Sequence, residues 1–144
     1  MTPKEFSQSL YDDNDDAKHQ IIAWLEERGF MAWVNEDQYG IDVQALKMGK
    51  QYVFEVEVKH NWNQDGFPFG TVHFPLRKKK FAGEEGAWFV MLNADRTQAL
   101  FVSGKVFLES PIVRKRTKYT DDEEFVEIDI SRCIFRDLTG GMNR

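Results

Sequence analysis

The sequence predicts an α/β domain with a mixed β-sheet, on three observations. A stretch of helical period comes first, two segments of strict alternation follow it, and uninterrupted apolar runs come after a short segment carrying helix signals. With 144 residues, 42% hydrophobic and 14% aromatic, the chain is of ordinary size for one domain, 1–144. A chain of this size buries roughly two-thirds of its unfolded surface around one core. A charged fraction of 30% keeps it out of the low-hydrophobicity, high-charge class that stays disordered.

From Asp16 the apolar residues Ala17, Ile21, Ile22, Trp24 and Leu25 recur at helical spacing. Acidic residues before them act as cap and first-turn signals, and Gly29 is a stop. Phe30 to Val34 reads as a short strand. Ile41 to Lys47 then alternates, with Ile41, Val43 and Ala45 on one side and Asp42 and Gln44 on the other. Gln51 to His60 alternates too, with Tyr52, Phe54, Val56 and Val58 opposite Glu55, Glu57 and Lys59. A two-residue turn at Met48-Gly49 pairs Lys47 with Lys50 and Asp42 with Glu55, and puts both apolar sets on one face. A four-residue turn keeps this parity and sets Asp42 opposite Glu57; a three-residue turn breaks it. Gly66, Pro68 and Gly70 mark a loop, and Pro75 suits the first position of a helix running to Ala82, ended by Gly83 and Gly86. Trp88 to Leu92 and Ala99 to Ser103 read as buried strands, Val106 to Leu108 and Phe125 to Ile130 as shorter ones. No repeat or linker divides the chain.

The single cysteine, Cys133, has no intramolecular partner and no cluster of zinc-ligand spacing around it, which points to a reducing, cytoplasmic setting. The longest apolar run, Ala87 to Leu92, is too short to span a bilayer, so no membrane association is expected. A net charge of −5 speaks against nucleic acid as a partner on average. The average hides a polarised surface, because eight of the 19 basic residues are Arg77, Lys78, Lys79, Lys80, Arg114, Lys115, Arg116 and Lys118. Acidic residues gather elsewhere, at Asp12, Asp13, Asp15 and Asp16 and at Asp121 to Glu124. A solvated face is the ordinary role of either basic segment.

Three carboxylates and a lysine on one face of paired strands require an explanation, since like charges in opposed positions destabilise a hairpin. A divalent cation provides one. Mg²⁺ takes oxygen ligands, keeps several waters, and is bound by one or two carboxylates plus substrate phosphate oxygens. A metal so held polarises a phosphate and lowers the pKa of bound water, and a lysine two residues from a glutamate lies on the same side of its strand. The ordinary alternative is a solvent-exposed face of charges paired across strands.

Three segments together, the helix ending Leu25-Glu26-Glu27-Arg28-Gly29-Phe30, then Gly40-Ile41-Asp42-Val43, then Phe54-Glu55-Val56-Glu57-Val58-Lys59, resemble the PD-(D/E)XK nuclease superfamily. The resemblance covers roughly the first 60 residues. It implies a restriction-endonuclease-like core, a central mixed sheet flanked by helices, and a Mg²⁺-dependent endonuclease acting on DNA, with Mn²⁺ substituting. Asp42 matches the first acidic ligand, Glu57 the motif acid and Lys59 the motif lysine, while Val58 offers its backbone carbonyl to the metal. Ile41 stands where the motif's name has Pro. Glu55 is a further ligand candidate, and among the helix acids Asp15 is favoured over Asp16, Glu26 and Glu27. The resemblance also implies that the helix after the motif lends a side chain to the scissile phosphate, with whichever of Arg77, Lys78 and Lys80 faces the sheet as the candidate; the others, with Arg114 and Arg116, are candidates for contact with the nucleic-acid backbone. Trp62, Phe67 and Phe69 read as edge-of-core packing, with stacking on an unpaired base as their other role. Structure-directed cleavage of junction, branched or single-stranded DNA, a homodimer and a phage-encoded origin complete the expectations. The alternative is a nuclease-fold protein that binds without cutting.

Overall fold

The computed structural model describes residues 8–37, 40–116 and 122–139, with side chains from residue 15 onward. A six-stranded sheet runs in the order β1 (Met31–Val34), β2 (Val43–Lys47), β3 (Lys50–Val58), β5 (Ala87–Leu92), β6 (Gln98–Ser103) and β9 (Ile134–Asp137). A three-stranded sheet has the order β4 (Thr71–Pro75), β8 (Glu123–Asp129) and β7 (Ile112–Lys115). In the larger sheet β3 and β5 are parallel and the other neighbours antiparallel. This is the mixed α/β architecture the sequence predicts.

Helix α1 (Gln8–Glu26) lies on one face of the larger sheet. Ala17, Ile21 and Leu25, four residues apart and so on one side of a helix, are fully buried against Val43, Ala45, Phe54, Val56 and Val90. The backbone leaves the helix at Gly29, whose φ of 90° is a conformation that costs glycine little. The helix starts well before Asp16. Asp15 and Asp16 are therefore helical residues and not caps, because the aspartate-rich stretch ahead of them carries no apolar period by which the helix could be seen.

The hairpin has the register of the two-residue turn. Lys47 pairs with Lys50, Ala45 with Tyr52 and Val43 with Phe54, and Met48 and Gly49 take φ values of 52° and 77°, the left-handed pair of a type I′ turn. Val43, Ala45, Phe54 and Val56 consequently face α1. Ile41 does not join them: it packs with Val53, Ala87 and Phe81 on the other side. The alternation ends there because Ile41 precedes the first paired residue of β2.

The opposite face of β5 and β6 packs on the small sheet, α2 (Lys79–Ala82) and α3 (Gly104–Glu109) through Phe74, Phe89, Leu100, Val102, Phe107 and Ile128. Two expectations are corrected here. Pro75 ends β4, opposite Phe125 on an outer strand of the small sheet, where a residue lacking an N–H is tolerated; a 3-10 turn, Leu76–Lys78, leads from it into α2. Val106 to Leu108 belong to α3, a helix started by Ser103, whose side chain accepts from the Val106 amide at 3.2 Å. Among the described residues no helix is long and apolar enough to cross a membrane.

Candidate active site

Strand parity that sends Phe54 and Val56 to α1 sends Glu55 and Glu57 to the opposite face. Asp42 precedes β2 by one residue, so the register continues to place it beside Glu55. Two hydrogen bonds fix that pair. The Asp42 amide donates to Glu55 Oε2 at 3.1 Å, and the Val56 amide donates to Asp42 Oδ2 at 2.9 Å. Glu55 thus binds the backbone of Asp42, and Asp42 binds the backbone of Val56, the residue after Glu55.

The ion expected on theoretical grounds to relieve their repulsion has a counterpart within the chain. Lys78 comes from the 3-10 turn after β4, and its Nζ donates to Glu55 Oε1 at 2.7 Å and lies 3.6 Å from Glu57 Oε2. The Glu55 side chain is only 6% exposed and that of Lys78 18%, so the contact is a buried ion pair. Burial pushes the Glu55 carboxyl above its ordinary value, Lys78 pulls it down and Asp42 pushes it up, with a net upward shift. Glu57 is also shifted upward, chiefly by burial, against the pull of Lys78 and Arg77. For Lys78 burial acts downward, but Glu57 and Glu55 outweigh it and its ammonium is held more tightly than usual. Lys18 of α1 approaches Asp42 Oδ1 at 3.5 Å from the other side.

Asp42, Glu55, Arg77, Lys78, Lys80 and Phe81 line one cleft, of about 270 Å³, with Gly40 at its rim. A Cβ at Gly40 would sit 2.6 Å from Asn35 Nδ2, so a larger residue there would make the Asn35 side chain move.

The other expected residues are distributed as follows. Lys59 is just past the end of β3, with its Nζ over the Phe69 ring at 5.2 Å. Burial and the positive charge of Lys115 lower its pKa, with Glu57 acting the other way. Among the described residues Lys59 makes no ion pair with Asp42, Glu55 or Glu57, whereas Lys78 pairs with both glutamates. Asp15 is half exposed and pairs with His19 at 3.9 Å; the α1 side chain that reaches the cluster is Lys18. Arg77 and Lys80 are exposed beside the cleft, but Arg114 is engaged by Asp122 at 2.6 Å and Glu124 at 3.6 Å, so its charge is largely neutralised. Arg116 is exposed, and Lys118 lies outside the described residues. Trp62 is fully buried, with its indole donating to the Gly66 carbonyl at 2.9 Å, and is no platform for a base; Phe69 is 44% exposed.

Carboxylate oxygens from two paired strands are the donor type that a hard divalent cation takes, and a cation there would displace the Lys78 ammonium from the glutamates and compete with Lys18 for Asp42. Among the described residues no three acidic, histidine or cysteine side chains converge closely enough to hold a metal by themselves. Mg²⁺ needs only one or two carboxylates, which Asp42 and its neighbours supply. Sequence reasoning left Lys78 as one of three candidates for the scissile phosphate or the flanking backbone and did not foresee its seat between the glutamates. Parity along one strand shows which side chains share a face, but not which residue of a loop returns to it.

The order of strands, the helix laid on one face and the acids at the mouth of the hairpin define a restriction-endonuclease-like fold, as the resemblance of the sequence implies. Among solved structures the chain is similar to Hjc of Archaeoglobus fulgidus, a Holliday junction resolvase from an archaeal hyperthermophile. The TM-score is 0.53 and the identity 16%, over 83% of this chain and 85% of that one. No protein-family model matches the chain, and no curated protein does.

Proposed function

We propose that the chain is a divalent-metal-dependent endonuclease that hydrolyses phosphodiester bonds in DNA, with branched, junction or single-stranded forms as substrates. The observation that carries this reading is the hydrogen-bonded contact of Asp42 with Glu55 and Val56 across the hairpin, with Glu57 next to Glu55 on the same face of β3, in a fold shared with a junction resolvase. Asp42 and Glu57, with the Val58 carbonyl and Glu55, hold Mg²⁺ or Mn²⁺. When bound, the ion polarises the scissile phosphate and activates water. The chain's own contribution is to orient the phosphate with the cationic groups of the cleft, and to track the flanking backbone with Arg77 and Lys80, and with Arg116 and Arg114 further off. Two cuts in one junction require two such sites, hence a homodimer.

Incubation with supercoiled, four-way and single-stranded DNA in Mg²⁺ or Mn²⁺ tests this. Cleavage that EDTA and Asp42→Ala abolish is the expected result; no cleavage of any form, or undiminished cleavage by Asp42→Ala, removes the proposal. The Lys78 ammonium between Glu55 and Glu57 favours a second reading, a nuclease-fold module that binds DNA with no metal. Its sign is salt-sensitive binding that is unaffected by EDTA and by Glu57→Ala.

A further inference from the structure

The ammonium at the centre of the acid cluster belongs to Lys78, and Lys59 is turned toward an aromatic ring. We propose that Lys78, delivered by the turn after β4, is the catalytic amine of this site, and that Lys59 is not. This rests on the nuclease reading and assigns within it the group that meets the developing charge.

Four observations converge. Lys78 Nζ is within 2.7 Å of one glutamate and 3.6 Å of the next on the same face of β3. Its side chain is 18% exposed, so it opens onto the cleft while its stem is held by the fold, an arrangement unlike that of a surface lysine contacting a DNA backbone. Lys78 shares that cleft with Asp42, Glu55, Arg77 and Lys80. Lys59 is instead placed over Phe69 at 5.2 Å, with Lys115 and Glu57 as electrostatic neighbours and no ion pair to any of the three acids among the described residues.

In hydrolysis the oxygen of water forms a bond to phosphorus and the bond from phosphorus to the leaving sugar oxygen breaks. One proton of the water passes to solvent and the leaving oxygen takes one from solvent, so the lysine neither gains nor loses a proton. Negative charge accumulates on the non-bridging phosphate oxygens. Once the glutamates are engaged by a cation, the ammonium 2.7 Å from Glu55 is released to donate to one of those oxygens. A preorganised donor of this kind contributes on the order of 10²–10³ in rate.

Single-turnover cleavage at saturating DNA, compared between wild type, Lys78→Met and Lys59→Met, tests the assignment. Ca²⁺ titration by calorimetry and DNA binding by anisotropy in Ca²⁺ are measured on the same proteins. Lys78→Met is expected to lower the saturating rate about a hundredfold or more, while DNA affinity changes less than about threefold; Lys59→Met is expected to stay within about threefold of wild type in rate. Lys78→Cys alkylated with 2-bromoethylamine, which rebuilds an amine of lysine length, is expected to recover at least about a tenth of the wild-type rate, and serves should Lys78→Met fail to fold. Loss of rate with Lys59→Met while Lys78→Met remains active overturns the assignment and leaves the nuclease reading standing. A Lys78→Met protein that binds DNA more weakly but cuts at the wild-type rate when saturated also overturns it, because the residue is then a backbone contact. Wild-type protein that neither binds Ca²⁺ nor cuts DNA overturns both.

Discussion

A carboxylate flanked by a second carboxylate is unfavourable in isolation, and each acid in this site carries a compensation specific to its position. Asp42 takes the Val56 amide and the approach of Lys18; Glu55 takes the Asp42 amide and the Lys78 ammonium. Replacing Asp42 by Asn keeps the shape and removes the charge, and is expected to lower cleavage at least about a hundredfold with little change in melting temperature. Calorimetry and a cleavage assay on one preparation check both halves. Cys133 offers a second prediction at this scale. Burial, with the Asp129 charge nearby, pushes its thiol up to about 11. The thiolate is the reactive form, so at neutral to mildly alkaline pH the folded protein should be alkylated by iodoacetamide at least about tenfold more slowly than the urea-unfolded chain. The two rates should approach each other as pH rises toward that value.

At the scale of the element, alternation legible in the sequence narrowed the hairpin to an even-length turn, and the structure takes the shorter of the two candidates. Two strands with their apolar residues in phase admit only an even turn, and Met48-Gly49 is the tightest one available. Met48 is 95% exposed and sits at a φ of 52°, so its side chain contributes nothing to packing while its backbone is in a region that Asn occupies more readily. Met48→Asn should therefore stabilise the protein by about 0.5–1 kcal/mol in urea unfolding. Gly86 is the opposite case. It enters β5 with a φ of 73°, and a Cβ there would lie 2.3 Å from the Gln51 carbonyl oxygen of β3. Gly86→Ala should cost at least about 2 kcal/mol, since backbone cannot move aside without disturbing the parallel pair. Of the small sheet, by contrast, only the central strand was legible, as Phe125 to Ile130. β7 is exposed on most of its residues and has no apolar alternation, and β4 ends in a proline that mimics a helix start. Val106 to Leu108 were apolar enough for a strand, but Ser103 supplied the cap that makes them helical.

On the scale of the whole molecule, α1 and the small sheet cover opposite faces of the large one, and each cover has its own apolar cluster. The first cluster could be read from helical spacing and strand parity in the first 60 residues. The second joins the loop after β3, β4, β5, β6, α3 and β8, segments far apart in the chain whose mutual packing no local pattern encodes. Trp62 shows the difference. The sequence places it at the edge of a core without saying which partners it meets, and it is fully buried, 5.0 Å from Phe67 and 6.4 Å from Phe135 by ring centroid. Trp62→Ala is expected to cost about 3–5 kcal/mol in thermal or urea unfolding, far more than loss of a base contact would. The same distance in sequence explains why the acids of the site were legible and its ammonium was not.

That ammonium travels 23 residues from the glutamate it meets, by way of the crossover that joins β3 to the parallel β5. A nascent chain can form α1 and the β1-β2-β3 meander by local contacts, but parallel pairing waits on closure of the long connection. Until then, among the described residues, Lys18 of α1 is the one counter-charge beside Asp42 and Glu55 at the end of the hairpin. The glutamates thus gain theirs late, and recovery of DNA cleavage on refolding should coincide with burial of Trp62 and lag behind the return of helical signal. A half-folded chain would carry the motif without the assembled centre.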